Sequence, residues 1–401
     1  MITFSECVVM CAGNQDLVQE FNRLTGFHMG ERRDALAQAI DKACGYDPDI
    51  VPRKDAWRIV KAFLSYNKMI NIFLIDRRCD KMGGNKLNGG DILNLQKLYF
   101  TNYRGFKELL LDLSGENIVF FGINGAGKSS ILRGISQLFS NIIVRVTDSQ
   151  VRQQVVFSPD DVMVGTSELQ VYGQFRFDNR SDLRYGFSFK KGKMGKRSRK
   201  KDSDSFATLF SELYSDEHVG MPIFAHYGVN RTVLDIPLRI KTKHDFGKVA
   251  AYQNSLGKTD FRTFFEWFRN QEDIENQEKV SKGELNYKDP SLEAVRTAIY
   301  AMMPELSNLR IKRSPLRMCA TKEGKTFSIE QLSDGEKCTL AMLGDIARRL
   351  SIANPDLENP LTGGGIVLID EVDLHLHPSW QRKVAVALHK TFPNIQFIMT
   401  T

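Results

Sequence analysis

Two stretches of this chain join residue types that together handle phosphate. Gly122-Ile123-Asn124-Gly125-Ala126-Gly127-Lys128-Ser129 has the spacing G-x-x-x-x-G-K-[ST], in which glycines let backbone N–H groups curl around an anion. Gly122, Asn124, Gly125 and Gly127 would form that cradle and Lys128 would reach the β and γ phosphates. Ser129 would offer its hydroxyl to Mg²⁺, and Ser130 counts among the phosphate-contacting residues. A chance match in such a chain is on the order of one in a hundred, so a glycine turn before a core helix is the weaker reading. Far downstream, Asp370-Glu371 closes an apolar run. Asp370 suits the Mg²⁺ shell beside Ser129, and Glu371 suits a general base or orienter for an attacking water. Lys128 and Glu371 are thus the expected catalytic pair. Acids at a strand end are only moderately specific alone; with the lysine loop they indicate a nucleoside triphosphate site.

These residues need elements to hold them. Ile118-Val119-Phe120-Phe121 reads as a strand running into the glycine loop, and Ile131, Leu132 and Ile135 mark a helix leaving it. Gly365 to Ile369 is continuously apolar, as in a strand buried on both faces of a parallel sheet, whose C-terminal end is where ligands bind. Leu95 to Phe100 and Glu108 to Leu113 read as earlier strands, and the alternation over 174–177 and 185–189 as an antiparallel layer. Residues 206–310 read as mainly helical, with Phe261, Phe264, Phe265 and Phe268 forming a core stripe. Upstream, Leu17, Phe21, Leu24, Leu36 and Ile40 give residues 1–82 a helical pattern, and a glycine-rich stretch at 82–90 separates it from the rest. The expected architecture is α/β: a mixed sheet with a helical lobe over 92–401, preceded by a small helical N-terminal region.

Gln331-Leu332-Ser333-Asp334-Gly335-Glu336-Lys337 leads into Leu340, Leu343, Ile346 and Leu350 at helix spacing. Ser333 and Gly335 at a helix N-terminus present a hydroxyl and free N–H groups to an anion, although a lone serine there is usually only a cap. Set between the glycine loop and the acids, Leu-Ser-Asp-Gly-Glu-Lys resembles the signature of ABC ATPases, in the SMC, RecF and OLD-type form rather than that of transporters. The resemblance implies a P-loop ABC ATPase head with ATP and Mg²⁺ as cofactors. It also implies that Ser333 and Gly335 meet the γ phosphate of ATP held by a second copy, so that two chains pair head to tail around two ATP molecules. Asn102-Tyr103-Arg104-Gly105-Phe106 is similar to the Asn-Phe-Arg element of these ATPases, which brings Arg104 toward phosphate or nucleic acid; a plain surface arginine is the alternative. Asp373 to Pro378 takes the D-loop position at the dimer seam, where His375 and His377 lack further ligands for a metal. The lid glutamine stays open among Gln150, Gln153, Gln154 and Gln174.

His226 to Arg231, Phe264 to Arg269 and Leu374 to Arg382 are similar to the PtuA-type ATPases of Septu and related retron anti-phage systems. That resemblance runs over about 92–401 and implies an ATPase working beside a separate HNH nuclease, PtuB, sometimes with a reverse transcriptase and its small DNA. It also implies a switch histidine beyond Thr401, so the ATPase domain is expected to be C-terminally incomplete, with any attached nuclease out of view. No nuclease activity is expected from this chain alone, because Asp370 and Glu371 are committed to phosphate. Two other readings are a RecF- or SMC-like DNA-repair ATPase and a non-hydrolysing ATP-gated scaffold, in which Glu371 would have no task.

A formal net charge of +7 permits a nucleic-acid partner without demanding one. Its distribution is uneven: Lys190 to Lys201 holds eight cations in twelve residues, with no aromatics to stack bases, so it is either a phosphate-backbone contact or a solvated loop. The six cysteines are scattered without metal-ligand spacing, as in reduced cytoplasmic proteins. No run approaches the roughly 18–20 apolar residues of a membrane span, and Glu6 interrupts any signal-peptide pattern. The chain is expected in the cytoplasm, without a membrane partner.

Overall fold

A computed structural model of the chain describes residues 8–10, 71–75, 92–147, 149–177, 182–191, 197–199, 203–216, 219–229, 247–257, 261–374 and 384–401. The strands among them are β1 (Val8–Met10), β2 (Asn71–Ile75), β3 (Leu93–Tyr103), β4 (Phe106–Asp112), β5 (Asn117–Phe121), β6 (Glu168–Phe177) and β7 (Leu183–Lys190). They continue with β8 (Arg197–Arg199), β9 (Ile223–Tyr227), β10 (Leu306–Arg313), β11 (Leu316–Lys322), β12 (Lys325–Ser328), β13 (Gly365–Ile369) and β14 (Ile395–Thr400). The α-helices are α1 (Lys128–Val146), α2 (Ser203–Ser215), α3 (Phe261–Lys282), α4 (Pro290–Met302), α5 (Asp334–Ala353) and α6 (Val384–Thr391).

The main sheet has the order β1-β2-β5-β14-β13-β9. Its four strands β5, β14, β13 and β9 are parallel, and every residue of β13 and β14 is buried, which is why β13 reads as an unbroken apolar run; β14 carries the buried polar residues Gln396 and Thr400. Two expectations need redrawing. The stretch expected to form the helical lobe contains β9, whose apolar residues Ile223 to Ala225 are buried beside β13. On the other side, β2 lies before the expected linker yet pairs antiparallel with β5, so the main sheet draws on both sides of residues 82–90. The helices expected around Leu17 to Leu24 and Leu36 to Ile40 lie outside the described residues.

A second, antiparallel sheet of order β4-β3-β6-β7-β8 alternates buried and half-exposed positions, with the cleanest period in β6. Helix α1 touches both sheets, through β6 and through β9, β13 and β14. One buried side chain ties the sheets directly. The β3 ladder shifts register between Leu95 and Lys97, freeing backbone groups that Gln396 of β14 recovers: Leu95 N–H donates to its Oε1 at 2.7 Å, and its amide donates to Leu95 O at 3.1 Å. Helices α3, α4 and α5 pack together beneath the small sheet β10-β11-β12, and Phe264, Phe265 and Phe268 are buried there as the aromatic stripe predicts, with Trp267 buried beside them; the side chain of Phe261 lies outside the described ones. No helix among the described residues is long and apolar enough to cross a membrane.

Candidate nucleotide site

Strand β5 delivers the chain into the loop 122–127, and α1 begins at Lys128. Gly125 and Gly127 take φ values of 85° and 101°, left-handed conformations that glycine enters without a Cβ penalty. A Cβ built on Gly125 would meet nothing within 4 Å, so this loop faces open space, whereas one on Gly127 would meet Phe106 Cζ at 2.6 Å. Gly127 caps α1 with no side-chain hydrogen bond, and the first turn holds no acid. The N–H groups at this helix end are therefore open to an anion, favoured further by the helix dipole. Lys128 Nζ donates back to Gly122 O at 2.5 Å, which holds its charge over the loop.

The acids arrive at the same place. Asp370 leaves the end of β13, and its Oδ1 accepts from Ser129 Oγ at 3.1 Å and from Thr400 Oγ1 at 2.5 Å. Glu371 follows with φ 48°, a conformation unusual for a side chain that carries a Cβ, and its N–H donates to Thr400 Oγ1 at 2.7 Å. A hydroxyl and a carboxylate oxygen at this separation, with open loop N–H groups nearby, fit Mg²⁺, a hard cation bound by one or two protein oxygens plus phosphate. Among the described residues no group of three or more His, Cys, Asp or Glu could hold a metal by itself, so the phosphates would have to share the coordination.

Arg104, also in the left-handed region at φ 49°, donates from Nε to Asp161 Oδ1 at 2.9 Å and from Nη1 to Ser130 Oγ at 3.3 Å. It stands beside the phosphate helix and is not a free surface arginine. Burial works to raise the Asp161 carboxyl, but hydrogen bonds from Ser158 N–H, Arg104 and Gln137 and the charge of Arg133 outweigh it and hold the group below its ordinary value. Ser333 caps α5, and Gly335 sits in its first turn. The Ser333 hydrogen bonds stay local: Glu336 Oε2 accepts from its N–H at 2.9 Å and from its Oγ at 2.7 Å, and Lys322 holds Glu336 Oε1 at 2.7 Å.

Residues 118–401 match the family described as "AAA domain, putative AbiEii toxin, Type IV TA system". The chain belongs to this family. Within it the ATPase is 31% identical over 387 residues to the Retron Ec83 probable ATPase of Escherichia coli, covering 80% of this chain and 70% of that relative. It is 23% identical over 335 residues to the Septu protein PtuA of Bacillus thuringiensis, covering 77% and 72% of the two chains. Among solved structures, an SMC head bound to the C-winged helix domain of ScpA aligns with a TM-score of 0.44 at 15% identity, over 77% of this chain and 90% of that one. The chain is an ATPase of the retron and Septu class.

Some of this ATPase's site is invisible in the linear motifs. Thr400 and Asp161 are partners of site residues that sequence alone does not mark; only strand register brings Thr400 beside Asp370. Three of the four glutamines held open as lids are occupied elsewhere: Gln154 donates to Tyr252 O and accepts from Leu256 N–H, Gln174 binds Asp182, and Gln153 donates to Val155 O. His226, next to β13, bonds through Nδ1 to Ser136 Oγ of α1 at 2.6 Å, while its Nε2 is buried without a partner. Burial pulls this imidazole down to about 4, against an upward pull from Asp370, so the ring is neutral near pH 7. His375, His377, Asn230, Arg231 and Trp380 to Arg382 lie outside the described residues, as do Gly192 to Lys196, Lys200 and Lys201 of the basic run.

Proposed function

We propose that the chain binds and hydrolyses Mg²⁺-ATP in composite sites formed by two copies, and that this pairing controls a partner nuclease in anti-phage defence. The observation that carries the reading is the contact of Ser129 with Asp370, which sets the phosphate loop and the acid-bearing strand end around one position. In this reading Lys128 neutralises the β and γ phosphates, Ser129 and Asp370 hold Mg²⁺, and Arg104 with Ser130 attends the phosphate tail. Glu371, fixed in its left-handed turn by Thr400, orients or deprotonates water. When bound, Mg²⁺ supplies charge to offset that developing on the transferred phosphoryl group.

Ser333 and Gly335 then serve the partner's ATP: their helix end is open, and no Ser333 hydrogen bond reaches residues 122–130 of its own chain. Glu371 favours a hydrolysing machine over an ATP-gated scaffold. The relatives named as a retron probable ATPase and a Septu protein support a role in a defence system, and the partners of this reading are an HNH nuclease of PtuB type and, in a retron setting, a reverse transcriptase with its small DNA. The test is Lys128→Ala in the full-length protein, which should lose nearly all ATP affinity in a fluorescent-nucleotide titration. Affinity within a few fold of wild type would refute the cradle assignment. Glu371→Gln should keep ATP, slow its hydrolysis and accumulate the pair, and nuclease action in the copurified complex should follow that state.

A further inference from the structure

The small sheet β10-β11-β12 has two unlike faces. Residues paired across strands share a face, so the paired Ile311 and Met318, with the buried Leu309 and Ala320 two residues from them, point to the helices, while Arg310, Lys312 and Arg317 lie on the other side. Among the inner-face cations Lys325, at the hairpin end, forms no ion pair among the described residues, while the other two are matched: Arg313 to Glu272 and Asp273 of α3, and Lys322 to Glu336 of α5. Those of the outer face are not. Arg310, Lys312 and Arg317 form no ion pair among the described residues, and Arg317 Nε is buried without a hydrogen-bond partner.

Lys312 and Arg317 stand directly opposite each other. Like charges in that position destabilise a sheet, and no ion pair among the described residues offsets the cost. Arg310 and Lys312 are two residues apart, about 7 Å along the strand, and Arg317 is about 5 Å from Lys312, so the three act within one Debye length as a single patch. The remaining positions of this face are the hydroxyl residues Ser307, Thr321, Thr326 and Ser328 and the thiol Cys319, the last two of them buried; no carboxylate or aromatic residue is among them. A protein partner would need apolar or aromatic anchors, which the face lacks. Cations mixed with hydroxyls are instead the groups that contact phosphate and sugar, and the missing aromatics rule out base stacking as the mode.

We propose that the outer face of β10-β11-β12 docks the sugar–phosphate backbone of a nucleic acid, without reading its bases. The proposal uses none of the residues assigned to the ATP site and none of Lys190 to Lys201. The test measures binding of the full-length protein to labelled mixed-sequence DNA and RNA, single- and double-stranded, by anisotropy across a salt series. Arg310→Gln with Lys312→Gln, both exposed, should weaken binding on the order of tenfold or more and lower the slope of log affinity against log salt by about 2, since each lost contact removes about 0.9 on duplex DNA. Lys190→Gln with Lys191→Gln should leave that slope in place, and both variants should bind ATP as wild type does, so that failure here is separable from failure of the ATPase reading. The proposal is overturned if wild type binds no nucleic acid at low salt, if the Arg310/Lys312 variant keeps its slope, or if the Lys190/Lys191 variant carries the loss. Binding of polyglutamate with no binding of either nucleic acid would assign the face to an acidic protein and overturn it equally.

Discussion

Ser333→Arg examines the composite site at its least familiar part. Ser333 Oγ accepts from Glu336 N–H at 3.3 Å and donates to Glu336 Oε2 at 2.7 Å, so the substitution removes an N-cap worth about 1 kcal/mol, a melting shift of about 2 °C in a domain of this size. That small loss leaves the chain folded and its own phosphate loop intact. Monomer ATP affinity should therefore stay near wild type while turnover collapses, because a guanidinium on a long side chain takes the place of the partner's γ phosphate. Mixing with Lys128→Ala sharpens the case. In a mixed dimer one site combines both lesions, and the other combines an intact loop with an intact signature. Random exchange makes half the dimers mixed, so with one working site of two in each, turnover should recover to about one quarter of wild type per chain. The assay is steady-state phosphate release from the mixture against each parent, after exchange is complete. Recovery no greater than the sum of the parents would refute the shared site, as would Ser333→Arg protein that turns over ATP normally alone.

Thr400→Val keeps the shape of a buried side chain but deletes the hydroxyl that donates to Asp370 and accepts from Glu371 N–H. It should destabilise the protein by about 1–3 kcal/mol and slow hydrolysis on the order of tenfold, with ATP affinity held within a few fold; unchanged urea midpoints and turnover would show that the anchor is dispensable. Asp345 is fully buried; burial alone would raise its carboxyl, but the charges of Arg349 and Arg348 and their hydrogen bonds bring it down to about 2. A folded value below the unfolded one of about 3.9 means that its stabilisation is complete above about pH 4 and is lost as pH falls toward 2. Asp345→Asn should cost roughly 3–5 kcal/mol at neutral pH, a gap that narrows between about pH 4 and 2 in denaturant titrations; a gap constant over that window would remove Asp345 from the acid response.

What could be read from the chain depended on whether the relevant chemistry is contiguous. The phosphate loop with its flanking strand and helix, and the acids closing β13, are local patterns, and the structure sets Ser129 against Asp370 as those patterns require. Where geometry is made by register or by distant partners, the letters are mute. Thr400 lies in the run Ile-Met-Thr-Thr and looks like any strand residue until β14 is aligned with β13. Arg104 and Asp161 are 57 positions apart, and only a 3-10 turn at Pro159–Asp161 brings the carboxylate under the guanidinium. The five residues of β9 are too few to separate a strand from a helix by periodicity, so the helical context around them prevailed in the reading. The lid glutamine was undecidable because composition offers four, and three of these are held elsewhere by hydrogen bonds that no spacing rule anticipates.

Helix α5 shows the same limit in energetic terms. Its apolar positions Leu340, Leu343, Ile346 and Leu350 are buried, yet Asp345, Arg348 and Arg349, which a helical wheel would send to solvent, are buried as well. Withdrawing three charges from water costs several kcal/mol each, and the fold offsets this with a dense set of partners. Asp345 accepts from Arg348 at 2.6 Å, from Arg349 at 2.8 Å and from the Tyr227 hydroxyl at 2.9 Å, while Arg349 also donates to Ala251 O and Gln253 O. Tyr227 ends β9, the neighbour of the strand that carries Asp370. An apolar core would hold the helix about as firmly, but it would tolerate rotation. Each residue of slippage turns a helix by about 100°, and the bonds that leave the helix, Tyr227 to Asp345 and Arg349 to Ala251 O and Gln253 O, can form in only one setting. The buried charges therefore fix the rotation at which Ser333 and Gly335 stand at the open end of α5, and they fix it relative to the strand layer that holds the acids.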